Sequence, residues 1–310
     1  MTKPPLSHYS PRFANRPWAN EKSELLCYYK DVHRGDVQKK PEGAKQWGRQ
    51  RGLYTWKVER ALTEDLENAV APIYAGFCEY REPDASGRRI WAQHLMSQLI
   101  RTPTFMRYEK AIRRKLNITE EPVHDRVGCE HCMDLACVTS RDWAVLQAHP
   151  DDHFVRGDNP VFLTGFIERP ETSLYYPISP RLCFVACSMG EDWIPRYPEG
   201  TPPIRGYRLH KGGAHMINFY LARSAEESLV LSSEDDGNIA ETMFGDVLGV
   251  YPQPPFPLHT PRPDEMPQAY TSIRKSMSFT DQIDYPDWRP GELEPFRGSA
   301  SSTRTVPSSA

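Results

Sequence analysis

Residues 174–187 read LYYPISPRLCFVAC. Leu174 to Ile178 and Leu182 to Cys187 form two apolar runs split by Ser179-Pro180, and short apolar runs bounded by turn residues read as paired strands. Phe154-Val155 and Val161-Phe162-Leu163 flank the turn Gly157-Asp158-Asn159-Pro160 in the same way, and Leu229 to Leu231 reads as a further short strand. Ala214 to Arg223 and Ile239 to Val247 read as helices. Upstream the rhythm is helical. Leu62, Leu66, Ala69, Val70, Ile73 and Phe77 recur at three- and four-residue steps. Glu64 and Asp65 sit in the first turn, where the helix dipole favours acids, and Pro72 is expected to kink the helix. A second helix is expected from about Gly87 to Ile100, and a third begins at Thr102-Pro103, with Thr as cap and Pro first in the helix. Lys22 to Asp31 is expected to hold a short strand, Val32 to Gly52 a polar loop, and residues 1–20 an extended surface segment. The expected class is α+β, with a helix-rich N-terminal half packed on a small, mainly antiparallel sheet over residues 1–250.

After residue 250 the composition shifts. Eleven of the chain's 29 prolines fall in its last 60 residues. Residues 251–297 read as an extended proline-rich arm, of the kind that partner grooves dock. Residues 298–310, mostly Ser, Thr, Ala and Pro, cannot bury enough surface to order and are expected to be a disordered tail. The whole chain has 310 residues and a formal charge of −3. Residues 1–150 carry 24 basic and 19 acidic side chains (net +5), leaving 14 and 22 (net −8) for the remainder. Lys39 to Lys57 is one basic cluster; Arg107, Lys110, Arg113, Arg114 and Lys115 form another. Such clusters attract phosphate backbones or simply form solvated faces. No apolar run approaches the roughly 18 residues of a membrane span, and no secretory stretch opens the chain, so a soluble cytoplasmic protein with no membrane contact is expected.

Seven cysteines, with no export signal, are expected to be reduced thiols. Cys129, Cys132 and Cys137 have C-x2-C-x4-C spacing, the start of a zinc site that lacks an evident fourth ligand. The other reading is a set of partly buried thiols. No metal is assigned, and nothing names a cofactor: the Walker, dinucleotide and G-x-S-x-G signatures are absent from the sequence.

Three constellations carry chemistry. In an extended His8-Tyr9-Ser10-Pro11-Arg12-Phe13, residues 8, 10 and 12 would share a polar face while Tyr9, Pro11 and Phe13 pack inward. An imidazole beside a guanidinium suits an anionic ligand or acid–base work; equally, the segment is an arm docked by its aromatic rings. His94, Gln98 and Arg101 form one polar stripe on an otherwise apolar helix, which makes a cleft wall or an internal network. Asp158 and Asn159 sit on a strand-end turn, as a base or metal ligand and an oxyanion donor, or as ordinary turn residues. Glu67 is expected in a salt bridge or in solvent. His210 and His215 straddle Gly212-Gly213 without the rest of a phosphate-loop signature.

The order His8-Tyr9-x-Pro11-Arg12-Phe13, Glu67, Gln98-x-x-Arg101-Thr102-Pro103, Asp158-Asn159-Pro160-Val161, Pro177-x-Ser179-Pro180, Asn218 and Ala225 resembles the mostly bacterial domain-of-unknown-function family 4238. The resemblance covers about residues 7 to 235 and leaves out the cysteine cluster and the proline-rich end. It implies that His8, Arg12, Gln98, Arg101 and Asp158 belong to one site, and it implies no activity. Two functions follow as expectations. The first is a hydrolase of a phosphoester or other anionic substrate, nucleic acid among them. In it His8 and Asp158 are catalytic, and Arg12, Gln98, Arg101 and Asn159 bind substrate. The second is a non-catalytic binding protein in which the same residues form a buried network and the proline-rich arm meets a protein partner. Convergence on one open pocket favours the first; burial in ion pairs favours the second.

Overall fold

The computed structural model describes residues 4–31, 36–117, 119, 135–163, 172–187, 204–232 and 239–240. Cys129, Cys132, nearly all of the expected 239–247 helix, the arm and the tail lie outside these residues. In chain order the first elements are β1 (Leu6–His8), α1 (Arg12–Asn15), a 3-10 turn over Arg16–Trp18, β2 (Glu24–Asp31), β3 (Asp36–Gly43) and β4 (Arg49–Arg51). The helices α2 (Trp56–Arg60), a π-helical stretch (Ala61–Glu67), α3 (Asn68–Cys78), α4 (Ala85–Ile100) and α5 (Pro103–Leu116) follow. After α6 (Ala136–Thr139) come β5 (Asp142–Gln147), β6 (Arg156–Gly157), β7 (Phe162–Leu163), β8 (Leu174–Ser179), β9 (Leu182–Cys187) and β10 (Arg205–Arg208), then α7 (Gly213–Ser224) and β11 (Ser228–Leu231).

The fold is α+β. The stretch 174–187 forms the antiparallel pair β8–β9, with Tyr176 opposite Phe184 and a register shift between Pro177 and Ser179. It sits inside a five-stranded sheet of order β10-β5-β9-β8-β7, in which only β10–β5 is parallel. A four-stranded antiparallel sheet runs β3-β2-β11-β6, and β1–β4 is a separate two-stranded ribbon. One face of the five-stranded sheet (Trp143, Val145, Tyr176, Phe184) packs on α3 and α4 through Phe77, Trp91 and Leu95. Ring centroids there stand 4.7 Å (Phe77–Trp91), 5.3 Å (Phe77–Phe184) and 5.1 Å (Trp143–Phe184) apart, contacts that add to plain area burial. The opposite face (Ala144, Leu146, Tyr175, Val185) meets Ala214, Ile217 and Leu221 of α7, with Tyr28, Leu229 and Leu231 of the four-stranded sheet.

Local signals explain the helices. Thr102 caps α5 by accepting from the Phe105 N–H, with Pro103 at the first position, as expected. Asp84 caps α4 through the Gly87 N–H at 2.7 Å. Pro72 lies inside α3, and the ladder widens to the π form just before that helix.

Several expectations are corrected. Residues 1–20 are not an extended surface segment: after β1 the chain turns helical at Arg12, and Tyr9, Ser10, Ala14, Asn15 and Trp18 are buried. Strand alternation therefore fails beyond residue 8, and Ser10 is buried while Arg12 is exposed. The stretch expected as a loop over 32–52 holds β3 and β4. Strand β3 is a sheet edge with mostly exposed polar residues and Pro41, so it lacks an apolar period. The strand expected at Phe154-Val155 falls at Arg156–Gly157, because the Phe154 N–H goes to Pro180 O and the Val155 N–H to Asn218 Oδ1. Strands β6 and β7 belong to different sheets, so the turn between them carries the chain from one sheet to the other.

One glycine is dictated by the N-terminal segment. Gly48 has φ +79°, its carbonyl accepts from the Tyr9 and Ser10 N–H groups, and a Cβ on it would stand 2.4 Å from Ser10 Cβ. Gly48→Ala combines a left-handed backbone with a backbone-level clash. It is expected to cost about 2–4 kcal/mol, read as a lower denaturant midpoint with an unchanged slope; a midpoint equal to wild type would show that the 8–10 segment is not held as described.

Candidate functional site

The His8-to-Phe13 segment is the hub of the N-terminal half. Strand β1 pairs antiparallel with β4, placing Leu6 opposite Arg51 and His8 opposite Arg49 on one face of the ribbon. Glu59, on α2, grips His8 twice: Oε1 lies 2.6 Å from Nδ1, and Oε2 accepts the His8 backbone N–H at 3.2 Å. The Tyr54 hydroxyl donates to the His8 carbonyl. On the far side of the ring, Arg49 Nε donates to His8 Nε2 at 2.9 Å. A guanidinium only donates, so Nε2 carries the lone pair and the ring proton sits on Nδ1, facing Glu59. The ring keeps 20% of its side-chain exposure and Glu59 keeps 11%.

Arg12 is exposed at the start of α1, and its guanidinium has no hydrogen bond or ion pair among the described residues. Burial and the nearby Arg12 guanidinium hold Arg49 below the ordinary arginine range, while Glu59 pushes it back up. Arg49, bonded to the His8 ring, thus has a second cation, Arg12, and the Glu59 carboxylate within electrostatic reach.

The stripe on α4 is internal. His94, Gln98 and Arg101 are fully buried. Arg101 Nη1 pairs with Glu67 Oε1 at 2.8 Å, and Nε donates to the Tyr9 carbonyl at 3.0 Å. In the amide orientation that satisfies both side chains, Gln98 Oε1 accepts from Arg101 Nη2 and Nε at 2.6 Å. Of the two places expected for Glu67, a salt bridge or solvent, the structure gives the salt bridge. Burial, and then Arg101 and Arg156, hold the His94 ring well below the usual histidine range, so it is neutral. Its Nε2 faces the Tyr176 hydroxyl at 3.3 Å. Arg156, also fully buried, donates to Pro177 O, Ser10 Oγ and the Tyr176 hydroxyl, and lies over the Trp18 and Tyr176 rings. Two buried arginines, one at the C-terminal cap of α4 and one from β6, therefore pin residues 9 and 10.

Asp158 and Asn159 bind elsewhere. Asp158 Oδ1 accepts the Glu226 N–H at 2.9 Å, and Oδ2 accepts those of Glu227 at 2.6 Å and Ser228 at 3.2 Å. Asn159 Nδ2 donates to the Ser224 carbonyl at 2.7 Å and to Thr104 Oγ1 at 3.4 Å. Both residues hold the α7–β11 connection, and neither shares a hydrogen bond or ion pair with His8, Arg12, Gln98 or Arg101. Of the second basic cluster, Arg107 is taken up by Glu226 and Glu227.

The geometry thus joins His8 to the ribbon face, with Arg12 close by, and Gln98 to Arg101 behind it. Glu59, Arg49 and Arg156 were not singled out from the sequence. The one available signal was a lone acid, Glu59, between Lys57 and Arg60 in a basic stretch. Cys137 is buried on α6, and no group of three metal-ligating side chains occurs among the described residues. No helix among them is long and apolar enough to cross a membrane.

Residues 7–126 match the model of a family described as "Protein of unknown function (DUF4238)", the family that the order of motifs resembles. The match contains His8, Arg12, Arg49, Glu59, Glu67, Gln98 and Arg101 and ends before Asp158. Neither the curated proteins nor the solved structures gave a match.

Proposed function

We propose that this chain binds a phosphate-bearing ligand at the His8 face of the β1–β4 ribbon and hydrolyses its phosphoester bond. The observation that carries this is the His8–Glu59 pair at 2.6 Å, which leaves Nε2 as the basic atom facing the Arg49 guanidinium. Arg12 and Arg49 would hold the anion and offset charge developing on it. Nε2 takes the proton of an attacking water, the new phosphorus–oxygen bond forms, and the ester bond to the departing oxygen breaks. That oxygen is reprotonated by the imidazolium. Glu59 fixes the tautomer and steadies the charged ring. In this reading Arg101, Gln98, Asp158 and Asn159 act by holding the scaffold.

A second reading has its own observation. The Arg49 Nε bond occupies the very atom a general base needs, and Arg101 and Asp158 are spent on internal bonds. That favours a protein that binds an anion without turning it over. Hydrolysis of p-nitrophenyl phosphate and bis(p-nitrophenyl) phosphate decides between them. His8→Gln is expected to lower turnover by about a hundredfold or more while the protein still folds, and Glu59→Gln by less. Wild-type protein that is stabilised by phosphate but turns over neither ester would leave the binding protein.

A further inference from the structure

We infer that the ligand of the ribbon face is single-stranded nucleic acid, with a base stacked on Trp56 and the backbone running along Arg51 and Arg49 past His8. This names the substrate class of the proposed site and rests on that reading. Trp56 is 56% exposed, the most exposed large apolar side chain among the described residues; Met216, on α7, and Leu6, at 38%, are the others. Leu6 lies on the same face of β1 as His8, opposite Arg51. Trp56 begins α2 and stands three residues before Glu59, so the two occupy neighbouring positions on one side of that helix. The indole thus projects from the helix that supplies the carboxylate holding His8.

The sequence around it is predominantly basic. Residues 1–60 carry 13 Lys and Arg against 6 Asp and Glu, a net +7 in a chain whose total is −3. Arg12, Lys57 and Arg60 are exposed, and none has a side-chain hydrogen bond or ion pair among the described residues. An exposed aromatic ring among such cations is the stacking-plus-phosphate pattern of single-strand binding. A duplex hides its base faces and offers no ring for the indole to stack on. A purely apolar partner would leave the cations desolvated and unpaired, a costly arrangement.

Fluorescence anisotropy of a labelled oligothymidine at about 50 mM salt tests this, with the salt then raised to about 200 mM. The wild type is expected to bind saturably and to weaken as salt rises. Trp56→Ala is expected to weaken binding at least about fivefold, and Trp56→Phe to retain most of it. Arg51→Ala, a second exposed change, is expected to weaken binding and flatten the salt dependence. Melting curves of each variant accompany the titrations. Trp56→Ala binding like wild type, a duplex of equal length binding as tightly, or no saturable binding would each overturn the assignment. Hydrolysis of p-nitrophenyl esters, run in parallel, separates the two readings. Ester turnover without strand binding removes nucleic acid alone, while strand binding without any ester turnover removes the hydrolase alone.

Discussion

Arg101→Ala is expected to melt on the order of 10 °C below the wild type, corresponding to a loss of about 3–5 kcal/mol. The side chain is fully buried and serves three partners from three parts of the chain: Glu67 at the end of the π-helical stretch, the Tyr9 carbonyl, and Gln98 one turn back on α4. Removing it leaves the Glu67 carboxylate, whose side chain is 14% exposed, without its cation, and leaves a buried carbonyl without one of its donors. It also opens a cavity where the guanidinium and its stem stood. Arg101→Lys is not conservative here, because a single ammonium cannot reproduce the fork. A double-mutant cycle with Glu67→Ala is the sharper measurement. If the ion pair is real, Glu67→Ala costs much less in the Arg101→Ala background than in the wild type. Simple additivity would show that the two side chains do not interact. The same variants bear on function. A site that uses Arg101 only as scaffold keeps its phosphate affinity at temperatures well below the lowered midpoint, whereas a clamp on the ligand loses affinity there as well.

How much of this was legible follows from which residues face solvent. The helices were readable because α4 and α5 carry local start signals and α3 shows apolar residues at helical steps. The pair β8–β9 was readable from apolar runs broken by Ser179-Pro180. Strand β5 was not, because Trp143 and Val145 face the helices while Ala144 and Leu146 face α7, so both faces are apolar and no alternation remains. Strand β3 failed in the opposite way, as an exposed edge with nothing apolar to alternate. For the site, His94, Gln98 and Arg101 stood out as polar residues on an apolar helix, and both readings of that stripe were open until burial favoured the network. Glu59 and Arg49 could not be found this way. Their meeting with His8 depends on the register Leu6↔Arg51 and on the direction in which α2 leaves the ribbon, and neither is written in any local pattern. Arg156 is likewise visible only once β6 is placed beside β11.

Asp158→Ala is expected to cost about 2–4 kcal/mol near neutral pH, because three N–H groups at residues 226–228 lose their acceptor together. The loss reaches further than the loop, since Glu226 and Glu227 also anchor Arg107 on α5. The pH dependence is the more telling measurement. Burial raises the Asp158 carboxyl to about 6, against the pull of the Glu226 and Glu227 N–H groups, and the charges of those two glutamates raise it further. In the unfolded chain the group titrates near 3.9. Between about pH 4 and 6 the native state therefore holds more protons than the unfolded state, and stability falls as pH rises through that window. A shift of about two units corresponds to roughly 3 kcal/mol, present in full below the unfolded value and gone above the folded one. The alanine variant lacks this group, so its deficit relative to wild type must grow as pH drops from 7 toward 4. Titrations common to both proteins cancel in that difference. Melting wild type and variant side by side at pH 7, 6 and 5 reads the sign directly. A deficit that shrinks on acidification would mean that the three N–H groups win over burial and hold Asp158 ionised below the ordinary range. The α7–β11 connection would then be held by a charged cap, with its strength lost in acid.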